Sequence, residues 1–360
     1  MMDLDERNVS GCGLSSMMNK KRVKVDGQAI TKSMRNLRER GNGLGAGFAA
    51  YGIYPDRKDY FALHLMYDSK DAKKNTEDYI NNYFHISSKE PIPTRRTESI
   101  IDPPVFWRYF VLPQEKFLPT DGDSEEDFVI KKVMHINTGV EGAFVVSSGK
   151  DMGVFKGIGY PEDISEFFKI EEYKAHTWIG HSRFPTNTPG WWGGAHPFTI
   201  LDWAVVHNGE ISSYGINKRY LKMHGYNCTM QTDSEVVAYL FDLLIRRHRI
   251  PLEYVSDVLA SPFWKNIDLE REDQRQIRTA LRMVYGSALV NGPFAVIIGH
   301  NGGLMGLSDR VKLRPMVAAR DGDWLYISSE EAGIREISPS VQNVWHPRAG
   351  ELVVGELEKN

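Results

Sequence analysis

The chain contains two thiols, Cys12 and Cys228. Two cysteines cannot build a disulfide framework or a zinc cage, and no C-x-x-C occurs. A cysteine can instead attack an amide carbonyl, provided a base takes its proton and donors receive the oxyanion. Cys12 sits between Gly11 and Gly13. Farther on, His181-Ser182-Arg183-Phe184-Pro185-Thr186-Asn187-Thr188 collects a charged fork, hydroxyls and an amide. Ala195-His196-Pro197-Phe198, His207-Asn208-Gly209-Glu210 and Thr232-Asp233-Ser234-Glu235 follow in that order. Each has a plain reading too. Cys12 could be a small buried apolar residue. An Arg near a Pro can form a surface ion pair, and Asn-Gly is often a hairpin turn. Thr-Asp-Ser-Glu before an apolar stretch reads as a capping box, with Thr232 or Asp233 as the cap. The run Gly41-Asn42-Gly43-Leu44-Gly45-Ala46-Gly47 follows a helical pattern and precedes a strand pattern. It therefore reads as a tight turn or a close backbone approach, not a dinucleotide fingerprint.

These groups must be positioned by elements whose patterns are legible. Helical patterns cover 30–39, 71–84, 234–248, 252–259 and 270–285. Aromatic and β-branched content predicts strands at 48–54, 61–67, 105–112, 142–147 and 153–156. The last third returns to strands, at 294–299, 304–307, 316–319, 324–328 and 351–356. The order β, then α, then β suggests helices packed on sheets rather than a doubly wound parallel fold. Residues 175–240 alternate short apolar runs with Gly, His, Asn, Trp and Pro, as buried strands linked by pocket-lining loops would. Residues about 59–135, which include a proline-rich, acidic stretch at about 85–130, read as an inserted lobe, a small βαβ unit packed on the main body.

Taken together and in order, Gly11-Cys12-Gly13-Leu14 and the four later segments resemble the class II glutamine amidotransferases, which are N-terminal-nucleophile hydrolases. The amidotransferase part of glutamate synthase is the nearest pattern, with R-F-x-T-N-T, A-H-P-F, A/V-H-N-G-E-I and T-D-S-E. Asp309-Arg310 through Leu313-Arg314-Pro315, Ser328-Ser329-Glu330 and Arg348-Ala349-Gly350-Glu351 are similar to its tail motifs. The resemblance covers about 12–58 and 140–355 and leaves the lobe outside. It implies a four-layer αββα sandwich of α+β class. It also implies that Cys12 is the nucleophile and its own α-amino group the base, with Asn208 and Gly209 forming the oxyanion hole. Arg183 would grip the α-carboxylate of glutamine, Asp233 its α-ammonium, and Thr186 would add a hydroxyl contact. Asn187 and His207 would support the loops, and Trp191 with Trp192 would form either a lid or a packed aromatic pair.

An internal cysteine has no free amine. Residues 1–11 are therefore expected to be a leader removed after Gly11, leaving 12–360 as one amidotransferase domain with its inserted lobe. The alternatives are an uncut, non-catalytic regulatory or scaffold subunit, or an amidase acting on another amide. The chain shows no flavin- or iron–sulfur-like segment, so no cofactor is expected in it. The expected arrangement is a subunit that supplies ammonia to a glutamate synthase-like partner carrying FMN and an iron–sulfur cluster. A formal net charge of -3 gives no bulk attraction to nucleic acid. No apolar run approaches the roughly 20 residues a bilayer span needs. The polar, acidic start is not a secretory signal, so the cytoplasm is the expected compartment.

Overall fold

The computed structural model describes residues 11–118, 124–185 and 190–358. Its centre is a pair of antiparallel sheets. Seven strands form the first, in the order Asn343–Trp345, Val317–Asp321, Trp324–Ser328, Gly13–Asn19, Thr177–Ser182, Ala46–Tyr51 and Met152–Gly157. Five form the second, in the order Phe198–Ile200, Trp203–Gly209, Phe294–His300, Gly303–Ser308 and Leu352–Glu356.

The period-two alternation of side chains assigns each strand residue to one of three cores. Leu14, Met18, Ala49, Tyr51, Val154 and Ile179 meet Ala204, Val206, Ala295 and Ile297 between the sheets. Their neighbours Met17, Phe48, Ala50, Phe155 and Trp178 face the other way. There they pack beneath helices Gln28–Asn36, Pro161–Phe167 and Glu331–Ile337 through Ile30, Met34, Ile164, Phe167 and Ile334. Trp203, Val205, Val296 and Ile298 face helices Tyr214–Met223 and Asp233–Phe241. The result is the αββα sandwich. Because helices cover both outer faces, the strands are buried on both sides and read as near-continuous apolar runs. The predicted helix at 234–248 is Asp233–Phe241 continued by a π-helical turn, Asp242–Arg247.

Residues 61–147 form a third, four-stranded sheet, ordered Phe84–Pro91, Val105–Pro113, Phe61–Tyr67, Ala143–Ser147. Helices Lys70–Tyr83 and Glu125–Gly139 complete a βαββαβ unit of the split-βαβ kind. The two strands read at 142–147 and 153–156 belong to different sheets. Ala143–Ser147 pairs with Phe61–Tyr67, and Met152–Gly157 with Ala46–Tyr51. The crossing is made at Asp151, whose φ is +49°. The third sheet shares a core with the helical layer, running from Leu65, Tyr109 and Phe128 to Val205, Leu240 and Phe241. Arg246, in the π-helical turn, fastens the two. Its Nε donates to Asp242 Oδ1 at 2.6 Å and its Nη2 to Asp127 Oδ1 at 2.8 Å. Among the described residues, no helix is long and apolar enough to cross a membrane.

Asp242 is fully buried, so removing its cation leaves an uncompensated interior charge. Arg246→Ala should lower unfolding free energy by about 3–5 kcal/mol, measured by chemical denaturation. A loss below about 1 kcal/mol, the level of an exposed pair, would show that this ion pair does not fasten the third sheet.

Candidate active site

Cys12 immediately precedes the central strand Gly13–Asn19, and that strand's neighbours fix its start. Leu14 donates its N–H to Ser329 Oγ at 3.1 Å, while Ser329 N–H and Ser328 Oγ both donate to Leu14 O at 2.9 Å. Arg40 Nε donates to Cys12 O at 3.2 Å, and Arg40 Nη1 pairs with Glu330 at 2.6 Å. Antiparallel pairing of Gly13 with Ser182 brings the residues that follow that strand, Arg183 and Phe184, beside Cys12. The Phe184 N–H donates to Cys12 Sγ at 3.3 Å. Burial pushes the Cys12 thiol above its ordinary pKa, with Asp233 adding to the rise. The Phe184 N–H, Arg183 and Arg40 work against it without cancelling it. The thiol is therefore protonated at neutral pH, and among the described residues its only hydrogen-bond partner is Phe184.

Asn208 and Gly209 end the strand Trp203–Gly209 in the facing sheet. Gly209 has φ +142°, and a Cβ there would lie 1.9 Å from Pro293 O, so only glycine fits. Asn208 is buried, and its Nδ2 has no partner among the described residues. Asp233 opens the helix Asp233–Phe241. Thr232 is the cap, accepting from Ser234 N, while Glu235 accepts from Thr229 and Met230 N–H; the capping box therefore does not close. Asp233 is left to face the cavity. Burial pushes its carboxyl up, but His207, the Ile211 N–H and Ser234 together hold it below the ordinary carboxylate value. Burial lowers the Arg183 guanidinium, opposed by Cys12 and Asp233.

Cys12, Arg183, Gly209 and Asp233 line one cavity of roughly 250 Å³, together with His196, His207 and Tyr214. Asn208 stands behind it, its Oδ1 3.4 Å from where a Cβ on Gly11 would sit. Thr186 and Asn187 lie outside the described residues. Trp191 and Trp192 are packed against the third sheet and its neighbours, 5.2 Å from Phe144 and 5.5 Å from Phe106 between ring centroids. Gly157 makes room for Trp192: a Cβ there would lie 2.2 Å from its ring. In the glycine run, Gly47 allows a close approach, since a Cβ would meet His196 O at 2.3 Å. Sequence reasoning missed Arg40, the Phe184 N–H and the hydrogen-bonding set of His196 and Ser234. No local pattern marks an arginine that acts on a backbone carbonyl 28 residues away. Among the described residues, no group of three His, Cys, Asp or Glu side chains is arranged to hold a metal ion.

The αββα layering is shared with a solved structure of an allosteric regulatory enzyme of purine biosynthesis. The match has TM-score 0.50 and 14% identity, over 96% of this chain and 47% of that one. The family model of class II glutamine amidotransferases matches residues 97–360, and the chain belongs to that family. An uncharacterised protein of Archaeoglobus fulgidus is 50% identical over 99% of this chain and 94% of its own length. A protein of Methanothermobacter thermautotrophicus provisionally assigned as a glutamine amidotransferase is 26% identical over 96% of this chain and all of its own. The amidophosphoribosyltransferase of Methanocaldococcus jannaschii is 27% identical over 61% of this chain, which spans 43% of that longer enzyme.

Because burial raises the Cys12 pKa, thiolate accumulates only above the range of an ordinary thiol, about 8.5. In the uncut chain, alkylation of Cys12 by iodoacetamide should be slow at pH 7 and still rising at pH 9, with Cys12→Ala as the blank. A rate that levels off below pH 8 would contradict a thiol whose pKa burial raises.

Proposed function

We propose that the chain, once it begins at Cys12, hydrolyses glutamine to glutamate and ammonia. The observation that carries this reading is the convergence of Cys12, Arg183, Gly209 and Asp233 on one cavity, drawn from positions far apart in the chain. An arginine and an aspartate lining one cavity complement the two charged ends of a free α-amino acid, which a protein amide lacks.

The proposed chemistry needs a base beside the thiol, whose only hydrogen-bond partner among the described residues is Phe184. Cutting after Gly11 frees the Cys12 amine, whose reference pKa of about 7.7–8.0 leaves a useful neutral fraction at cellular pH. The amine takes the Sγ proton, and the thiolate attacks the side-chain amide carbon. The unpartnered Asn208 Nδ2 and the Gly209 N–H are the proposed donors to the resulting oxyanion. As the C–N bond breaks, the ammonium returns its proton to the leaving group, which departs as ammonia. Water then cleaves the thioester to glutamate. Arg40, already bonded to Cys12 O, would hold this residue when the preceding peptide is gone.

For the ammonia acceptor we propose a partner synthase. The motif resemblance favours the glutamate synthase type, with FMN and an iron–sulfur cluster carried by the partner.

Purified active protein should begin at Cys12 by intact mass. Cys12→Ala should lower glutaminase turnover by about 10⁴-fold or more while glutamine still binds, and Cys228→Ala should leave turnover near normal. Gly11→Val places a Cβ 3.3 Å from Arg40 Nη2 at a φ of +148°. If it blocks cleavage, turnover should vanish with the thiol intact. An uncut chain as active as the cut one would overturn the amine mechanism, and an uncut chain with no glutaminase activity in any preparation would favour a non-catalytic subunit.

A further inference from the structure

The acidic group of the cavity rests on a hydrogen-bonded set that makes no contact with the thiol. Ser234 Oγ lies 2.7 Å from His196 Nε2, 3.1 Å from His207 Nδ1 and 3.3 Å from Asp233 Oδ1. His207 Nδ1 is itself 3.5 Å from Asp233 Oδ1, and Thr232 Oγ1 is 3.4 Å from the same oxygen. His196, His207 and Ser234 are all buried, and each comes from a different segment: the loop after Trp192, the strand Trp203–Gly209 and the helix Asp233–Phe241. The loop itself is bracketed by buried Lys156, whose Nζ donates to Gly193 O at 3.0 Å and Pro197 O at 3.2 Å.

Counting protons gives the set a direction. A carboxylate accepts only, so His207 carries its hydrogen on Nδ1. His181 Nε2 is 3.0 Å from the His207 carbonyl, another pure acceptor, so that nitrogen is also protonated. His181 Nδ1, His196 Nδ1 and His207 Nε2 have no partner among the described residues. A bare ring nitrogen tolerates that better than an orphaned N–H, and buried orphan donors are rare. His196 therefore donates from Nε2 to Ser234 Oγ. Ser234, with a single hydroxyl hydrogen, turns it toward Asp233 Oδ1. The chain runs His196 to Ser234 to Asp233, with His207 Nδ1 donating to Ser234 Oγ and Thr232 donating to Asp233 Oδ1. The other oxygen, Oδ2, accepts the Ile211 N–H at 3.0 Å.

We propose that His196, Ser234 and His207 are positioning residues that make the site specific for an α-ammonium. Ser234, oriented by His196 and His207, donates to Oδ1 beside Thr232, which stops the carboxylate rotating and leaves the second lone pair of Oδ2 for the ammonium of the substrate. This rests on the glutaminase reading above and adds to it the device that selects an amino acid over a simple carboxylated amide. Without the serine proton, the carboxylate loses a donor and its fixed orientation, while the thiol and its Phe184 contact are untouched.

The test compares glutamine with glutaramate, the same amide without the amino group, on matured protein beginning at Cys12. Wild type should prefer glutamine. Ser234→Ala should lower kcat/KM for glutamine by roughly tenfold or more, mostly through KM, and change glutaramate hydrolysis less than about twofold. Ser234→Thr keeps a hydroxyl and should recover most of the preference. His207→Gln should erode it in the same direction. Equal losses on both amides would mean a merely structural role, and an unchanged preference would mean no role; either overturns the inference and leaves the glutaminase reading standing. Wild type that hydrolyses neither amide overturns both.

Discussion

The site depends on the antiparallel register between the strand that begins at Gly13 and the strand that ends at Ser182. Pairing Gly13 with Ser182 means that the chain entering one strand and the chain leaving the other meet at the same end of the sheet. Cys12 and Arg183–Phe184 are then neighbours by construction, and the Phe184 N–H reaches Sγ. A one-residue slip would turn every side chain of the central strand to the other face. Leu14 and Met18 would leave the space between the sheets, and Met17 would leave the helix-covered face. The packing of these two cores thus enforces the register, and the register places the thiol. The facing sheet adds Asn208 and Gly209 at the end of its own strand, and the helix after Thr232 adds Asp233.

Electrostatics follow from that enclosure. Burial raises the thiol, lowers Arg183 and would raise Asp233 were it not surrounded by donors. The cavity is lined by one cationic and one anionic side chain, Arg183 and Asp233.

Much of the site was legible because short motifs carry their own geometry. Asn-Gly at 208–209 stood out as a motif, and the structure shows why glycine is needed there: φ is +142° and a Cβ would lie 1.9 Å from Pro293 O. Strand and helix patterns failed where an element's partner lies far away in sequence. The strands at 142–147 and 153–156 looked alike, yet a positive φ at Asp151 sends them into different sheets. The helices of the inserted unit were only half visible, because Glu125–Gly139 is capped by Ser124 and Asp127 directly after an acidic run that masks its start. Arg40 carries no local pattern, and the tetrads that contain His196 and Ser234 do not reveal the contact between them, which exists only once the sandwich is closed.

The most direct measurement is the structure of the matured protein after reaction with a diazo-ketone analogue of glutamine. The account predicts a single covalent bond, to Cys12 Sγ, with the inhibitor's carboxylate on the Arg183 guanidinium and its ammonium against Asp233 Oδ2. An adduct on Cys228, or one on Cys12 whose charged ends contact neither Arg183 nor Asp233, would contradict it.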